Sequence, residues 1–237
     1  MRILITNDDS VSAEQLLPLI RYCRKFGEVT TVVPKYEQSG KSHGIEIRHP
    51  FEAKQVELAP DITAWTVDST PADCVRFAIL GLGMKFDLAI SGVNRGLNIG
   101  ADIMYSGTVS AASEAANLGV KAIALSTPPE NYHRATEELD RVFAFVREKK
   151  LLELSDLYNI NIPASPKGIK ITRQGGPYYS DDFAPEQNHM YRPCGKPVWV
   201  DRNDYTLDTD ATLNGYITVT PLTINRTDLR VFEQLMK

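Results

Sequence analysis

Two adjacent carboxylates, Asp8 and Asp9, close the stretch "ILITNDD" near the start of the chain. Side-by-side carboxylates raise each other's proton affinity, so such a pair calls for open water or a cation. Three more loops carry polar residues at the ends of apolar runs. Gln38, Ser39 and Gly40 follow "EVTTVVPKYE", Asn94 and Asn98 lie in "SGVNRGLNIG" after "FDLAI", and Ser106, Gly107 and Thr108 open the small-residue stretch "SGTVSAASEAANLG". Two carboxylates, a hydroxyl and a carboxamide are hard oxygen donors of the kind that hold Mg²⁺ or Mn²⁺ rather than a thiolate-seeking metal. A glycine and two hydroxyls at a helix start, where backbone N–H groups are free, form a cradle for phosphate.

The elements between these loops determine whether they meet. "RILIT" reads as a buried strand. "SVSAEQLLPLIRYCRKFG" reads as a helix, with Ser12 and Gln15 as a capping box and Pro18 demanding either a later start or a distorted first turn. "EVTTVVP" then completes a β-α-β opening, which forces a parallel sheet. "IEIRHPFEAKQVEL" and "TAWTV" read as an antiparallel excursion. "STPADCVRFAILGLG" reads as a helix capped by Thr70, with Val75, Ile79 and Leu82 on one face. "FDLAISG", "KAIALS" and "LYNINIP" are further strands, and "TVSAASEAANLG" and "ATEELDRVFAFVREKK" further helices. The alternation predicts a doubly wound, mostly parallel α/β core over 1–163. From 164 to 237 the rhythm changes to short β-like pieces, a β-rich extension too thin in apolar residues to fold alone. In open parallel sheets, ligands sit beyond the carboxyl ends of the strands. On this reading all four polar loops fall on that one edge.

Composition narrows the classes. The 237 residues carry a net charge of −4, with 43% apolar and 24% charged residues. A nucleic-acid scaffold would need a basic stripe, which the chain lacks, whereas mononucleotides remain open. No apolar run approaches the ~20 residues that cross a bilayer, no signal-peptide pattern precedes the first strand, and Cys23, Cys74 and Cys194 form no paired motif. A cytoplasmic setting is the expectation. Cys74 falls on the inner face of its helix and is expected to be buried. His43 lies near Ser39, where contact with substrate and a solvated loop are both open, and His49, His133 and His189 have no partner at ligand spacing. The absence of a GxSxG elbow, a GxxxxGK[ST] loop and a GxGxxG turn removes serine-esterase, P-loop and conventional dinucleotide readings.

In order along the chain, "ILITNDDS", "VVPKYEQSG", "DSTPADCV", "DLAISGVNRGLNIG", "YSGTVSAASEAANLG", "KAIALS", "NINIP" and "GYITVTPL" resemble the survival protein SurE family. The resemblance implies a Rossmann-like core and metal-dependent phosphomonoesterase activity on nucleoside 5′-monophosphates and 3′-monophosphates. It implies one divalent cation per subunit held by Asp8, Asp9, Ser39 and Asn94, with Asp8, Asp9 and Asn94 catalytic. Asn98, Ser106, Gly107 and Thr108 would be neighbours of the phosphate. It further implies a homodimer made by exchange of C-terminal elements, with pairing to tetramers in some members. The chain departs from the family at Ser10 and Ser69, where glycine is usual, and "SVSAEQL" lacks the customary His, Pro and Gly. A non-glycine at 10 could require a different backbone angle at the metal loop. Two rivals share these features: a receiver-like signalling module, which needs an Asp at the end of its third strand where this chain has Asp87 only at the start, and a non-catalytic Mg²⁺-dependent nucleotide-binding protein.

Overall fold

The computed structural model describes residues 1–237. In chain order the first half comprises β1 (Arg2–Thr6), α1 (Leu16–Cys23), β2 (Glu28–Pro34), β3 (Ala53–Ala59), β4 (Ile62–Val67), α2 (Pro71–Arg76), β5 (Leu88–Arg95) and α3 (Gly107–Asn117). There follow β6 (Lys121–Thr127), α4 (Leu139–Glu148), the single turn α5 (Leu151–Leu154), β7 (Leu157–Asn161) and β8 (Gly168–Ile171). The short strands β9 (Tyr179–Ser180), β10 (Phe183–Pro185), β11 (Tyr191–Pro193) and β12 (Lys196–Pro197) precede α6 (Asp208–Leu213), β13 (Tyr216–Pro221) and α7 (Leu229–Leu235).

Nine strands form one sheet in the order β3-β4-β2-β1-β5-β6-β7-β13-β8, in which only β3–β4 and β7–β13 are antiparallel. Counted along the chain, the parallel run from β4 to β7 has the order 3-2-1-4-5-6, the doubly wound Rossmann arrangement. The direction of winding reverses between β1 and β5, and a crevice opens at such a switch point.

Side-chain size assigns the two faces. Ile3, Ile5, Leu88, Ile90, Ile123 and Leu125 point to the face covered by α1 and α4, while the intervening Leu4, Ala89, Ala122 and Ala124 point to the other. The helix on that second face, α3, presents Ala111, Ala112 and Ala115, all buried. Small residues on both sides let α3 lie close to the sheet, which brings its N-terminus to the strand ends.

Several expectations are corrected. The first helix takes the later of the two starts that Pro18 allowed, at Leu16, so Pro18 falls in its first turn, where no intrahelical N–H bond is lost. No capping box forms: Gln15 makes no cap bond, and the Ser12 amide donates to Ser10 Oγ at 3.3 Å. The "IEIRHP" part of the antiparallel excursion is coil, held by Glu46, whose side chain accepts from the amides of Arg48 and His49 at 2.6 and 3.0 Å. The second helix is capped by Thr70 as expected, then loosens into a π-helical turn at Phe77–Gly81. The change of rhythm at 164 is not the edge of the sheet, because β13 pairs with β7 and carries β8 beside it. Of the remainder of the extension, α6 is buried, whereas β9 to β12 form two small, mostly exposed antiparallel pairs and α7 buries no residue.

Candidate active site

Asp8 and Asp9 leave β1 at the switch point, and backbone hydrogen bonds draw the other loops onto them. The Gln38 amide donates to Asp8 O at 2.8 Å, which ties in the loop carrying Ser39. The Arg95 amide donates to Asp9 Oδ2 at 2.9 Å, which ties in the end of β5 next to Asn94. Asn94 Nδ2 donates to Gly96 O at 2.8 Å, leaving Oδ1 as its free acceptor. Ser39 is exposed and donates to Glu37 Oε1 at 2.6 Å. Together, Asp9, Ser39, Glu37, Arg95 and Tyr132 line an open cleft of about 760 Å³.

The start of α3 abuts Asp8. Ser106 Oγ caps α3 by accepting from the Val109 amide at 3.0 Å, which leaves the amides of Gly107 and Thr108 without helical partners. Thr108 Oγ1 donates to Asp8 Oδ1. A Cβ at position 107 would lie 2.9 Å from both Cβ and Oδ2 of Asp8, so only glycine lets the helix start this close. Asn98 sits deeper. Its side chain donates to Ser126 Oγ at 2.8 Å, and its backbone is clamped from below by β7: Asn161 Oδ1 accepts from the Asn98 amide at 2.9 Å, and the Nδ2 atoms of Asn159 and Asn161 each donate to Asn98 O at 2.8 Å.

The electrostatics explain what the crevice lacks. Neither Asp8 nor Asp9 forms an ion pair. Burial pushes the Asp8 carboxyl up to about 6, against the Thr108 hydrogen bond and with help from the Asp9 charge. Burial raises Asp9 as well, opposed by the Arg95 amide. Beside them, Asn7 Oδ1, Thr6 Oγ1 and Ser91 Oγ are buried with no partner. A buried carboxylate, Asp8, beside the half-buried Asp9, with neutral oxygen donors nearby and only the exposed Arg95 as a cation close to Asp9, fits a hard divalent cation. No cluster of three or more histidine, cysteine or carboxylate side chains exists in the chain, so such an ion would depend on the hydroxyl and carboxamide donors.

The comparisons with known proteins settle the lineage. The family model for survival protein SurE matches residues 3–181. The chain belongs to the SurE family. The protein named 5′-nucleotidase SurE from Microcystis aeruginosa is 37% identical over 99% of this chain and 95% of its own length. The one from Thermosipho melanesiensis is 38% identical over 99% and 96%. A crystal structure of the SurE protein from Aquifex aeolicus superposes with a TM-score of 0.80 at 30% identity, covering 99% of this chain and 98% of that one.

Within the SurE framework, Ser10 keeps the backbone that glycine would give: its φ is +75°, and Asn7 Nδ2 donates to its carbonyl at 2.9 Å. The departure therefore changes the strain and not the turn. Ser10→Gly is expected to stabilise the fold by about 1 kcal/mol, because a left-handed L-residue costs about 1–2 kcal/mol, and to raise the melting temperature by roughly 2–4 °C. A melting curve that moves down would refute this. Ser69, the other departure, donates to Asp73 Oδ2 at 2.6 Å and reinforces the turn into α2.

His43 is neither a solvated loop residue nor part of the cleft: its Nε2 lies 2.8 Å from Glu114 Oε2, which latches the Ser39 loop to α3. His133 lies exposed on the rim of the cleft. Sequence reasoning passed over Arg95, Glu37 and Tyr132. Arg95 was findable as the one cation in its loop, whereas Tyr132 arrives on a 3₁₀ turn, Pro129–Arg134, that no periodicity marks.

The receiver-like rival loses on geometry. Asp87 lies at the opposite end of β5, where Oδ2 accepts from the Arg2 amide at 2.7 Å, and the sheet has the 3-2-1-4-5-6 order rather than the 2-1-3-4-5 of receivers.

Proposed function

We propose that the chain is a divalent-cation-dependent phosphomonoesterase that hydrolyses nucleoside 5′-monophosphates, and 3′-monophosphates as well. The observation that carries the reading is the buried Asp8 carboxylate, which has no cationic partner and is packed directly against the N-terminus of α3, with the half-buried Asp9 beside it. The names of the relatives, 5′-nucleotidase SurE, support the substrate class.

Asp8, Asp9, Ser39 and Asn94 would hold one Mg²⁺ or Mn²⁺. When bound, such an ion supplies charge neutralisation at phosphoryl oxygens and acidifies a water. The chain does the rest. The amides of Gly107 and Thr108, at the positive end of α3, receive the phosphate and stabilise the charge that spreads over its oxygens in the transition state. The Ser106 side chain fixes the helix start, and the Thr108 hydroxyl holds Asp8 in place. Asn98, clamped by β7, sets the path of the loop between Asn94 and the cradle. One of the two carboxyls, Asp8 or Asp9, would also hold a proton during the reaction.

The test is phosphate release from a panel of 5′- and 3′-nucleotides with Mg²⁺ or Mn²⁺ and with chelator. Turnover abolished by chelator is expected. Metal-dependent nucleotide binding without release from any substrate would favour the non-catalytic binding protein instead.

We also propose a homodimer formed by exchange of C-terminal elements, with further pairing to a tetramer. Its support is that Leu229, Phe232 and Leu235 of α7, with Phe183 and Tyr191 of the preceding arm, are all exposed on the single chain. No helix is long and apolar enough to cross a membrane, and the three cysteines are unpaired, which supports a cytoplasmic location. Light scattering that gives the mass of one chain would overturn the exchanged dimer.

A further inference from the structure

A second cleft, of about 500 Å³, lies immediately beside the first. Pro129 lines both, and Gly96, on the wall of the second, follows Arg95, on the wall of the first. The two clefts are therefore separated only by the end of β5 and the loop that carries Asn94 and Asn98. The second is built differently. Tyr105, Tyr178 and Tyr179 give it aromatic walls, with Leu97 and Ile99 behind them.

These rings are not spent on the core. Tyr105 and Tyr179 are 55% and 46% exposed, although the backbone beneath Tyr179 is rigidly held. Asp102 Oδ2 accepts from the amides of Tyr178 and Tyr179 at 3.2 and 2.8 Å, and the Ala101 amide donates to Gly176 O at 3.1 Å. The Tyr178 and Tyr179 rings stand edge to face, with centroids 5.0 Å apart. Asp208, fully buried, completes the splice: its carboxylate accepts from the amides of Gly100 and Gly175 at 3.1 and 2.7 Å. The C-terminal extension thus supplies one wall of the cleft and is bonded to the turn that leads into the phosphate cradle.

Charge decides the class of occupant. Asp102, Glu130 and Asp181 line this cleft, and no lysine, arginine or histidine does. A second phosphate would be repelled here, whereas an uncharged planar ring would stack on exposed tyrosines at a site that its own phosphate can reach.

We propose that this cleft is the base subsite of the nucleotidase: Tyr179, with Tyr105, stacks on the nucleobase of a nucleoside monophosphate whose phosphate lies at the Asp8–Asp9 crevice. The proposal rests on the nucleotidase reading and deepens it, because it makes the enzyme select for the base and not merely for a phosphomonoester. The sugar bridges the two clefts past Gly96.

The experiment compares adenosine 5′-monophosphate with ribose 5-phosphate, which has the same phosphate and sugar and no base. In the wild type, kcat/KM is expected to favour the nucleotide. Base–aromatic stacking is worth enough that Tyr179→Ala should shrink that preference about tenfold, while Tyr179→Phe, which keeps the ring, retains it. An unchanged ratio in Tyr179→Ala overturns the proposal, whether both substrates slow together or neither does, since a structural or subunit-contact role would move both alike. Should the wild type release phosphate from neither compound, the nucleotidase reading fails separately, and the cleft is judged by binding of adenosine alone. Binding lost in Tyr179→Ala and kept in Tyr179→Phe sustains an aromatic-base site, and binding equal in all three removes it.

Discussion

Asp8→Asn is expected to abolish phosphate release and, in the same protein, to raise the melting temperature measured in chelator near pH 8. Both outcomes have one cause. Asp8 is buried, its carboxyl is pushed up from 3.8 to about 6 chiefly by loss of solvation, and the chain offers it no cationic partner. A carboxyl whose folded pKa lies above its unfolded value favours folding most when protonated. The contribution of Asp8 to the stability of the cation-free wild type should therefore be full below about pH 4, fall away as the pH rises from 3.8 through about 6, and level off above. A tenfold change in proton affinity corresponds to about 1.4 kcal/mol, so the charge costs the cation-free fold on the order of 2–3 kcal/mol. Asparagine keeps the shape and can still accept from Thr108 without carrying that charge. A rise of roughly 4–12 °C at alkaline pH follows from that cost in a chain of this size. Below pH 4 the difference should vanish. Turnover should fall by on the order of a thousandfold or more, since a divalent ion contributes several kcal/mol to the barrier. Added Mg²⁺ should stabilise the wild type and leave Asp8→Asn unmoved. A variant that is no more stable than wild type in chelator would show that the crevice already neutralises Asp8 by another route.

This opposition between stability and activity helps explain how much of the site could be read from sequence. The strands β1, β5, β6 and β7 announce themselves by short runs of branched and aliphatic residues, and the doubly wound rule then sends their polar ends to one edge. Asp8, Asp9 and Asn94 were nameable because polar residues that close those runs are chemically incongruous there, whereas Ser39, in a polar loop beyond β2, took its place in the set from the resemblance to the SurE family. The last strands of the sheet were less legible. "GIKI" and "YITVTP" are short, and the buried positions of β13 include Thr218 and Thr220, whose hydroxyls pair with Thr212 and Thr172 at 2.8 and 2.7 Å. A count of apolar residues misses burial that is satisfied by hydroxyl pairs, and so the extension read as thin in apolar residues without showing which of its strands join the sheet. Ser10 was legible as an anomaly but not in its consequence, because only the fold tells whether serine bends the turn or submits to it. The asparagines of β7 gave no signal at all, since a buried carboxamide inside a strand looks the same in sequence whether it grips another loop or merely satisfies itself.

Those asparagines carry the other large expected effect. Asn161→Leu should cost about 2–3 kcal/mol of stability and reduce kcat for nucleotides by roughly ten- to a hundredfold. Asn159 and Asn161 are two residues apart on one strand and so point to the same face, from which both reach the Asn98 backbone. Asn161 alone meets both groups of that peptide backbone, accepting from the Asn98 amide and donating to its carbonyl, much as a neighbouring strand would. Leucine fills a similar volume but leaves the Asn98 amide without its acceptor in a buried setting. Asn159 can still hold the carbonyl, so the loop loosens without detaching. Loosening matters because this backbone lies between Asn94 and the cradle, where a displacement on the order of 1 Å at a reacting group can cost a hundredfold. Asn98→Ala separates position from chemistry: it keeps the backbone clamp, gives up only the contact with the buried Ser126 hydroxyl, and should cost about 1 kcal/mol of stability. If Asn161 acts only by holding Asn98, the double variant should be no slower than the slower single variant, while the stability losses add. Activity losses that also multiply would mean that Asn161 serves the reaction by a path that does not run through Asn98.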